Sequence, residues 1–210
     1  MIGDAPRHIG FIGTRLTEVM YYLYLPVVIG DSSICLPRNV EPCREIIEQS
    51  IKAATKLNRK FRYVYLSARR GFATPDNPLN RPGWHCDGYG TDDLNYVWWD
   101  GPGTRFAVQK FTGISVDHKF SLEQFQHQVK PEFITSGLMH GLYELTPDVV
   151  HATPIIPPPG CMRQYVKVSL SNSRYNLEGN SHNYMFDYDW NLQSRELVRN
   201  SPHSAQRDSA

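Results

Sequence analysis

A histidine and an aspartate stand two apart in Arg81-Pro82-Gly83-Trp84-His85-Cys86-Asp87-Gly88-Tyr89. On a strand, residues two apart project from one face, so this imidazole and carboxylate can grip one side of a divalent metal. One more histidine completes the 2-His-1-carboxylate face that leaves positions open on Fe(II). His151, in Leu145-Thr146-Pro147-Asp148-Val149-Val150-His151-Ala152-Thr153-Pro154, is the candidate for that third ligand. Taken singly these residues have plainer roles: His85 and Asp87 as a hydrogen-bonded pair at a strand end, His151 as a satisfied, half-buried histidine. Cys86 lies between two candidate ligands, faces the other way on a strand, and reads as core.

The elements that must position these residues are mostly strands. Tyr21–Val28 is aromatic and β-branched. From Phe61 onward the pattern has period two, in Arg62–Ser67, around Trp84–Tyr89, in Asn95–Trp99 and in Thr104–Phe111, with an Asp100-Gly101-Pro102-Gly103 turn between the last two. Gly141–Leu145, Val149–Thr153 and Gln164–Ser171 follow. One helix is predicted from about 40 to 57, because Cys43, Ile46, Ile47, Ser50, Ile51 and Ala54 recur at helical spacing, with Asn39 as N-cap. Ser121 and Gln124 suggest a capping box for a second, short helix. Seven or eight strands beside one or two helices predict a mainly β (α+β) sandwich or barrel with helical support. The expected organisation is a single domain over 1–193, with core strands over about 61–175 and a mobile tail over 194–210. Trp84, Tyr89, Tyr96, Trp98 and Trp99 are expected to pack the core, one or two of them walling a cavity. The Pro-rich loops 72–82 and 155–160 and the segment 175–190 are expected at its rim.

The order His85-Cys86-Asp87, then Val150-His151-Ala152-Thr153-Pro154, then Lys167-Val168-Ser169 resembles the Fe(II)/2-oxoglutarate-dependent oxygenases over residues 61–175. That resemblance implies a double-stranded β-helix (jelly-roll, cupin-like) core with the metal triad at its mouth. It implies Fe(II), with 2-oxoglutarate and O2 as cosubstrates, decarboxylation to succinate and CO2, and hydroxylation of a substrate C–H bond. It also implies that a basic residue on the last core strand pairs with the distal carboxylate of 2-oxoglutarate, with a hydroxyl two residues later on the same face. Lys167 and Ser169 fit that spacing. Arg163, of the same parity, competes, and the family more often uses Arg, whose planar fork binds a carboxylate bidentately where Lys offers a point charge.

The bulk properties narrow the partners. The chain has 210 residues and a net charge of +1, so no global field recruits nucleic acid or an anionic membrane. The basic run from Lys52 to Arg70 reads first as a solvated helix face and end, although it keeps a nucleic-acid substrate open, as does a loose likeness of Lys167–Leu170 to the base-oxidising branch of the same family. Four dispersed cysteines, Cys35, Cys43, Cys86 and Cys161, form neither a zinc knuckle nor a disulfide scaffold. No signal peptide or membrane-length apolar run is evident, so the expected location is cytoplasmic. Two other readings stay open on the residues alone: a non-catalytic β-barrel binding module, and a cupin-type metalloenzyme that does not use 2-oxoglutarate.

Overall fold

The computed structural model describes residues 1–195; most of the tail expected over 194–210 lies outside them. Nine strands form two antiparallel sheets: β1 (Arg7–Phe11), β2 (Met20–Ile29), β3 (Tyr63–Ala73), β4 (Leu94–Asp100), β5 (Arg105–Ala107), β6 (Ile134–Ser136), β7 (Gly141–Leu145), β8 (His151–Ala152) and β9 (Cys161–Ser171). The large sheet runs β1-β7-β4-β9-β3-β2 and the small one β6-β5-β8. An isolated bridge between His85 and His151 adds the His85 segment beside β8. From β3 onward the chain passes back and forth: large sheet, His85 bridge, β4, then β5 and β6, β7, β8, β9. The large sheet reaches beyond the expected core, taking β1 and β2 as its two outer strands.

The two faces of the large sheet differ in chemistry. Leu66, Ala68, Tyr96, Trp98, Val166 and Val168 point outward into the principal apolar cluster, against Ile46, Ile47 and Ala54 of helix α1 (Arg44–Lys56). The opposite face carries Ser67 opposite Lys167 and Arg69 opposite Tyr165, by the β3–β9 register. Toward β7 that inner face becomes apolar again. There Val97, Trp99, Tyr143 and Leu145 pack with Phe106 of β5 and with Val149, which joins the two sheets.

Both helix starts differ from the sequence expectation. A 3-10 turn over Arg38–Cys43 precedes α1 and contains Pro42. Asn39 caps nothing there; its amide donates to the Tyr22 hydroxyl at 2.8 Å. The second helix, α2 (His118–Gln128), is capped by Asp117, whose carboxylate accepts from the amides of Lys119 and Phe120. Gln124 instead accepts from the Ser115 amide at 2.7 Å. Asn39 is drawn to a tertiary partner, whereas at α2 the cap falls to Asp117, immediately before the helix.

Ile47 is fully buried between α1 and the large sheet, whereas Lys52 is exposed. Ile47→Ala is expected to cost about 2–5 kcal/mol through lost transfer energy and a residual cavity. Lys52→Ala should stay within about 0.5 kcal/mol of the parent. Urea unfolding followed by circular dichroism checks both.

Candidate metal centre

His85, Asp87 and His151 come together: one ligand atom from each lies within 4.8 Å of the others, the one such group of His, Cys, Asp and Glu among the described residues. His151 is held by β8 and is 5% exposed. His85 is fixed by a reciprocal backbone pair, its amide donating to the His151 carbonyl at 3.0 Å and its carbonyl accepting from the His151 amide at 2.9 Å. The two imidazole rings consequently lie beside each other, centroids 4.5 Å apart and planes tilted by 53°. Asp87 does not reach the site along a strand. Only His85 is bridged, and Asp87 opens the turn over 87–90, so convergence comes from the turn and not from the pleat. Gly88 makes that turn at φ +70°, where an added Cβ would press on the Thr91 hydroxyl and the Asp93 side chain.

Backbone carbonyls set the tautomers. The Nδ1 of His85 lies 3.0 Å from the Gly83 carbonyl and that of His151 lies 3.2 Å from the Val149 carbonyl. A carbonyl only accepts, so each Nδ1 carries the proton and each Nε2 is left with a lone pair for a metal. Burial, with His151 alongside, lowers the His85 pKa to about 3, which keeps its imidazole neutral. Burial works to raise Asp87, but the attraction of the Lys167 ammonium leads the effects that outweigh it and hold the carboxyl well below its ordinary value. Two imidazoles and one carboxylate on one side of a cavity, with no thiolate among them, fit a hard to borderline divalent ion such as Fe(II) with positions left open. Cys86 packs toward Trp84 and Phe125 in the cluster beneath the small sheet, and burial raises its thiol pKa.

The three residues expected to bind a cosubstrate separate. Lys167 reaches the site, its Nζ 3.1 Å from Asp87 Oδ2 and 3.0 Å from the Tyr24 hydroxyl. Burial pushes its pKa down, yet Asp87, Tyr24 and Tyr165 more than offset this and the net shift is upward. Ser169 instead donates to Asn95 Oδ1 at 2.6 Å inside the sheet. Arg163 is 1% exposed, donates to the Pro102 and Pro78 carbonyls and to Asn80 Oδ1, and lies over the Tyr165 ring. Neither Ser169 nor Arg163 lines the cavity that holds the triad. Their shared strand parity put them on the correct face, but not at the correct depth.

That cavity has a volume of about 720 Å³ and is lined by the triad, Lys167, Tyr24 and Tyr175 among others. Tyr24 is invisible in the sequence pattern. It occupies a bulge of β2 at φ +47°, and its amide donates to Ser67 Oγ. A left-handed tyrosine is a costly conformation kept where its surroundings over-determine it, and here it places the phenol on Lys167. Of the expected aromatics, Tyr89 walls the cavity, while Tyr96, Trp98 and Trp99 are core. From the expected rims, Leu79, Asn80 and Arg81 of the first loop and Tyr175 of the C-terminal segment line it. Tyr175 stacks on Tyr65 with centroids 4.2 Å apart.

No family model matches the chain, and no curated protein matches it. Among solved structures it is similar to the crystal structure of EvdO2 from Micromonospora carbonacea var. aurantiaca, at 16% identity and a TM-score of 0.37, over 64% of this chain and 60% of that one. No helix among the described residues is long and apolar enough to cross a membrane.

His85→Ala, Asp87→Ala and His151→Ala should each abolish binding of one divalent ion while circular dichroism shows a retained fold. Full-strength binding by any folded variant removes that residue from the ligand set. A second expectation concerns the metal-free protein. Folded His85 titrates near 3 against 6.5 for an ordinary histidine, so the unfolded chain binds the extra proton between those values. Stability should therefore fall as pH drops from about 6.5 toward 3. His85→Leu should make that fall shallower by up to one proton, read from urea midpoints across the range.

Proposed function

We propose that this protein is an Fe(II)- and 2-oxoglutarate-dependent oxygenase that hydroxylates a C–H bond of its substrate and converts 2-oxoglutarate to succinate and CO2. The observation that carries the reading is that one buried cation, Lys167, shares a cavity with a 2-His-1-carboxylate triad. The alternation of the chain between the two sheets supports a jelly-roll core. Iron, when bound, supplies Lewis acidity and the means of activating O2.

The chain's own residues do the rest. His85, Asp87 and His151 hold one face of the metal, with both imidazoles oriented through their Nδ1 protons. Lys167 is the anchor for the distal carboxylate of 2-oxoglutarate, with the Tyr24 hydroxyl beside it taking the orienting role expected of Ser169. In the absence of cosubstrate Lys167 pairs with Asp87; a dicarboxylate in the cavity offers the ammonium a second anionic partner. Phe125 and the stacked Tyr175 wall the cavity and reduce the water around the reacting centre.

A second reading rests on the 3.1 Å contact between Lys167 and Asp87. If Lys167 serves only as counter-ion to the ligand carboxylate, the protein is a metalloenzyme of the same fold without 2-oxoglutarate. The experiment is to supply Fe(II), ascorbate, O2 and 2-oxoglutarate and measure succinate, alongside 2-oxoglutarate affinity of the variants. The first reading expects succinate formation. It also expects Lys167→Ala to weaken 2-oxoglutarate by on the order of 2–4 kcal/mol, because a buried carboxylate loses its partner, and Arg163→Lys to leave that affinity nearly intact. No succinate and no affinity for 2-oxoglutarate would favour the second reading; an unchanged affinity in Lys167→Ala with loss in Arg163→Lys would reassign the anchor.

A further inference from the structure

A file of aromatic rings leads away from the metal cavity. Tyr24 and Tyr175 both line that cavity, and their rings meet edge to face with centroids 5.0 Å apart. Tyr175 stacks on Tyr65 at 4.2 Å. Tyr65 reaches Trp190 directly at 6.4 Å, or through Tyr63 by steps of 6.0 and 5.8 Å. Trp190 meets Tyr188 at 4.6 Å, Tyr188 stacks on His182 at 4.4 Å, and His182 meets Tyr184 at 4.6 Å. Tyr63 and Tyr65 are buried, Trp190 and Tyr188 are half-buried, and Tyr184 is 90% exposed.

Packing alone accounts for aromatic pairs enclosed in a core. It does not account for a continuous file with one end on the wall of a metal cavity and the other in water. A separate group of stacked rings, Trp99, Phe106 and Tyr143, has no member lining the cavity. The file also has a proton acceptor where it begins. The Tyr175 hydroxyl donates to Asp93 Oδ2 at 2.6 Å, and burial raises the pKa of Asp93, so this carboxylate is a stronger base than one in water. A phenol loses an electron most readily when its proton has a base to go to. Tyr65 has none, because its hydroxyl donates to the Ser173 carbonyl, which accepts a hydrogen bond and not a proton. An electron vacancy arriving on Tyr65 therefore moves on to Trp190, whose indole holds one without first losing a proton. Electron tunnelling decays exponentially with distance, so neighbouring rings exchange electrons quickly, and one ring that resists oxidation interrupts the path.

We propose that Tyr175, Tyr65, Trp190 and Tyr188 form an electron relay that carries oxidising equivalents out of the metal cavity when no substrate is there to receive them. The relay rests on the oxygenase reading for its source of oxidant, since O2 activated at iron beside an empty substrate site has no C–H bond to attack. Each pass moves one electron. The oxidant at the metal gains it from Tyr175, whose phenolic proton passes to Asp93. Tyr65 then re-reduces Tyr175, and Asp93 returns the proton. Trp190 re-reduces Tyr65, Tyr188 re-reduces Trp190, and an external one-electron donor such as ascorbate restores Tyr188. The rings end as they began, the oxidant is reduced by one electron and the donor is oxidised by one. Without the relay the same oxidant attacks the side chains nearest the metal.

The test uses the full chain loaded with Fe(II) and given no substrate. One arm receives O2 and 2-oxoglutarate; the other receives hydrogen peroxide, which needs iron in the triad but no cosubstrate. Freeze-quenched electron paramagnetic resonance follows protein radicals, and peptide mass spectrometry locates oxidised side chains. In the parent, ascorbate should quench the radical, and lasting oxidation should concentrate at Trp190 and Tyr188. Tyr65→Phe and Trp190→Phe each place a ring that resists oxidation in the path. Each should raise oxidation of Tyr24 and Tyr175 several-fold and slow quenching by ascorbate several-fold. Tyr143→Phe, off the path, should match the parent. Circular dichroism identifies the folded variants, and two interruptions on different elements keep the test decisive if one of them does not fold. The same oxidation pattern and quenching rate in parent and interrupted variants, or no protein radical in either arm, overturns the relay. Relay behaviour with peroxide but no reaction with O2 and 2-oxoglutarate would sink the oxygenase reading and leave the relay standing; succinate formation with an unaltered oxidation pattern in the variants would do the reverse.

Discussion

Two hydrogen bonds between the backbones of His85 and His151 are the constraint on which this structure turns. They attach an otherwise irregular segment to the edge of the small sheet and bring together two imidazoles remote in sequence. They also fix the start of the turn that swings Asp87 inward. The carbonyls of Gly83 and Val149, each two residues before its histidine, then choose the proton position on both rings. Ligand position and ligand tautomer thus come from the same two short stretches of backbone, which is the kind of preorganisation a metal site needs.

The large sheet separates stability from chemistry by face. Its outer side buries aliphatic and aromatic residues against α1. Its inner side keeps Ser67, Asn95, Lys167 and Ser169 buried, which is costly unless each finds a partner. Each does: Ser169 with Asn95, Lys167 with Asp87 and Tyr24, and Ser67 with the Tyr24 amide. Such a polar face contributes little net stability, because desolvation consumes most of what the pairs return. A sheet that tolerates it has the outer core as its support and the cavity as its reason. Arg163 shows the boundary of that cavity. Buried on the same face, it ties the loops at Pro78, Asn80 and Pro102 to β9.

Much of the site was legible in the sequence because its residues obey short rules. His-x-Asp and a later histidine are a ligand set by residue type, and the positions of β4, β7 and β9, with the facing of Lys167, are marked in the sequence. What escaped was decided by contacts and turns that residue spacing alone does not register. Asn39 satisfies the capping pattern but bonds to Tyr22. Ser121 and Gln124 form the right spacing, but Asp117 lies nearer the free amides. Asp87 was placed on a strand that ends at His85. Ser169 has the spacing of a carboxylate ligand, yet its hydroxyl finds Asn95 first. Tyr24, which takes its place beside Lys167, depends on a bulge and a left-handed backbone that no local sequence rule marks at a tyrosine.

The most direct measurement of the central claim is visible absorption under anaerobic conditions. The protein loaded with Fe(II) is titrated with 2-oxoglutarate, and the variant His151→Ala is treated identically. If the triad leaves adjacent positions on iron and Lys167 receives the distal carboxylate, a metal-to-ligand charge-transfer band should grow to one equivalent in the parent and be absent in the variant. Stoichiometric iron binding with no such band at saturating 2-oxoglutarate would contradict the account.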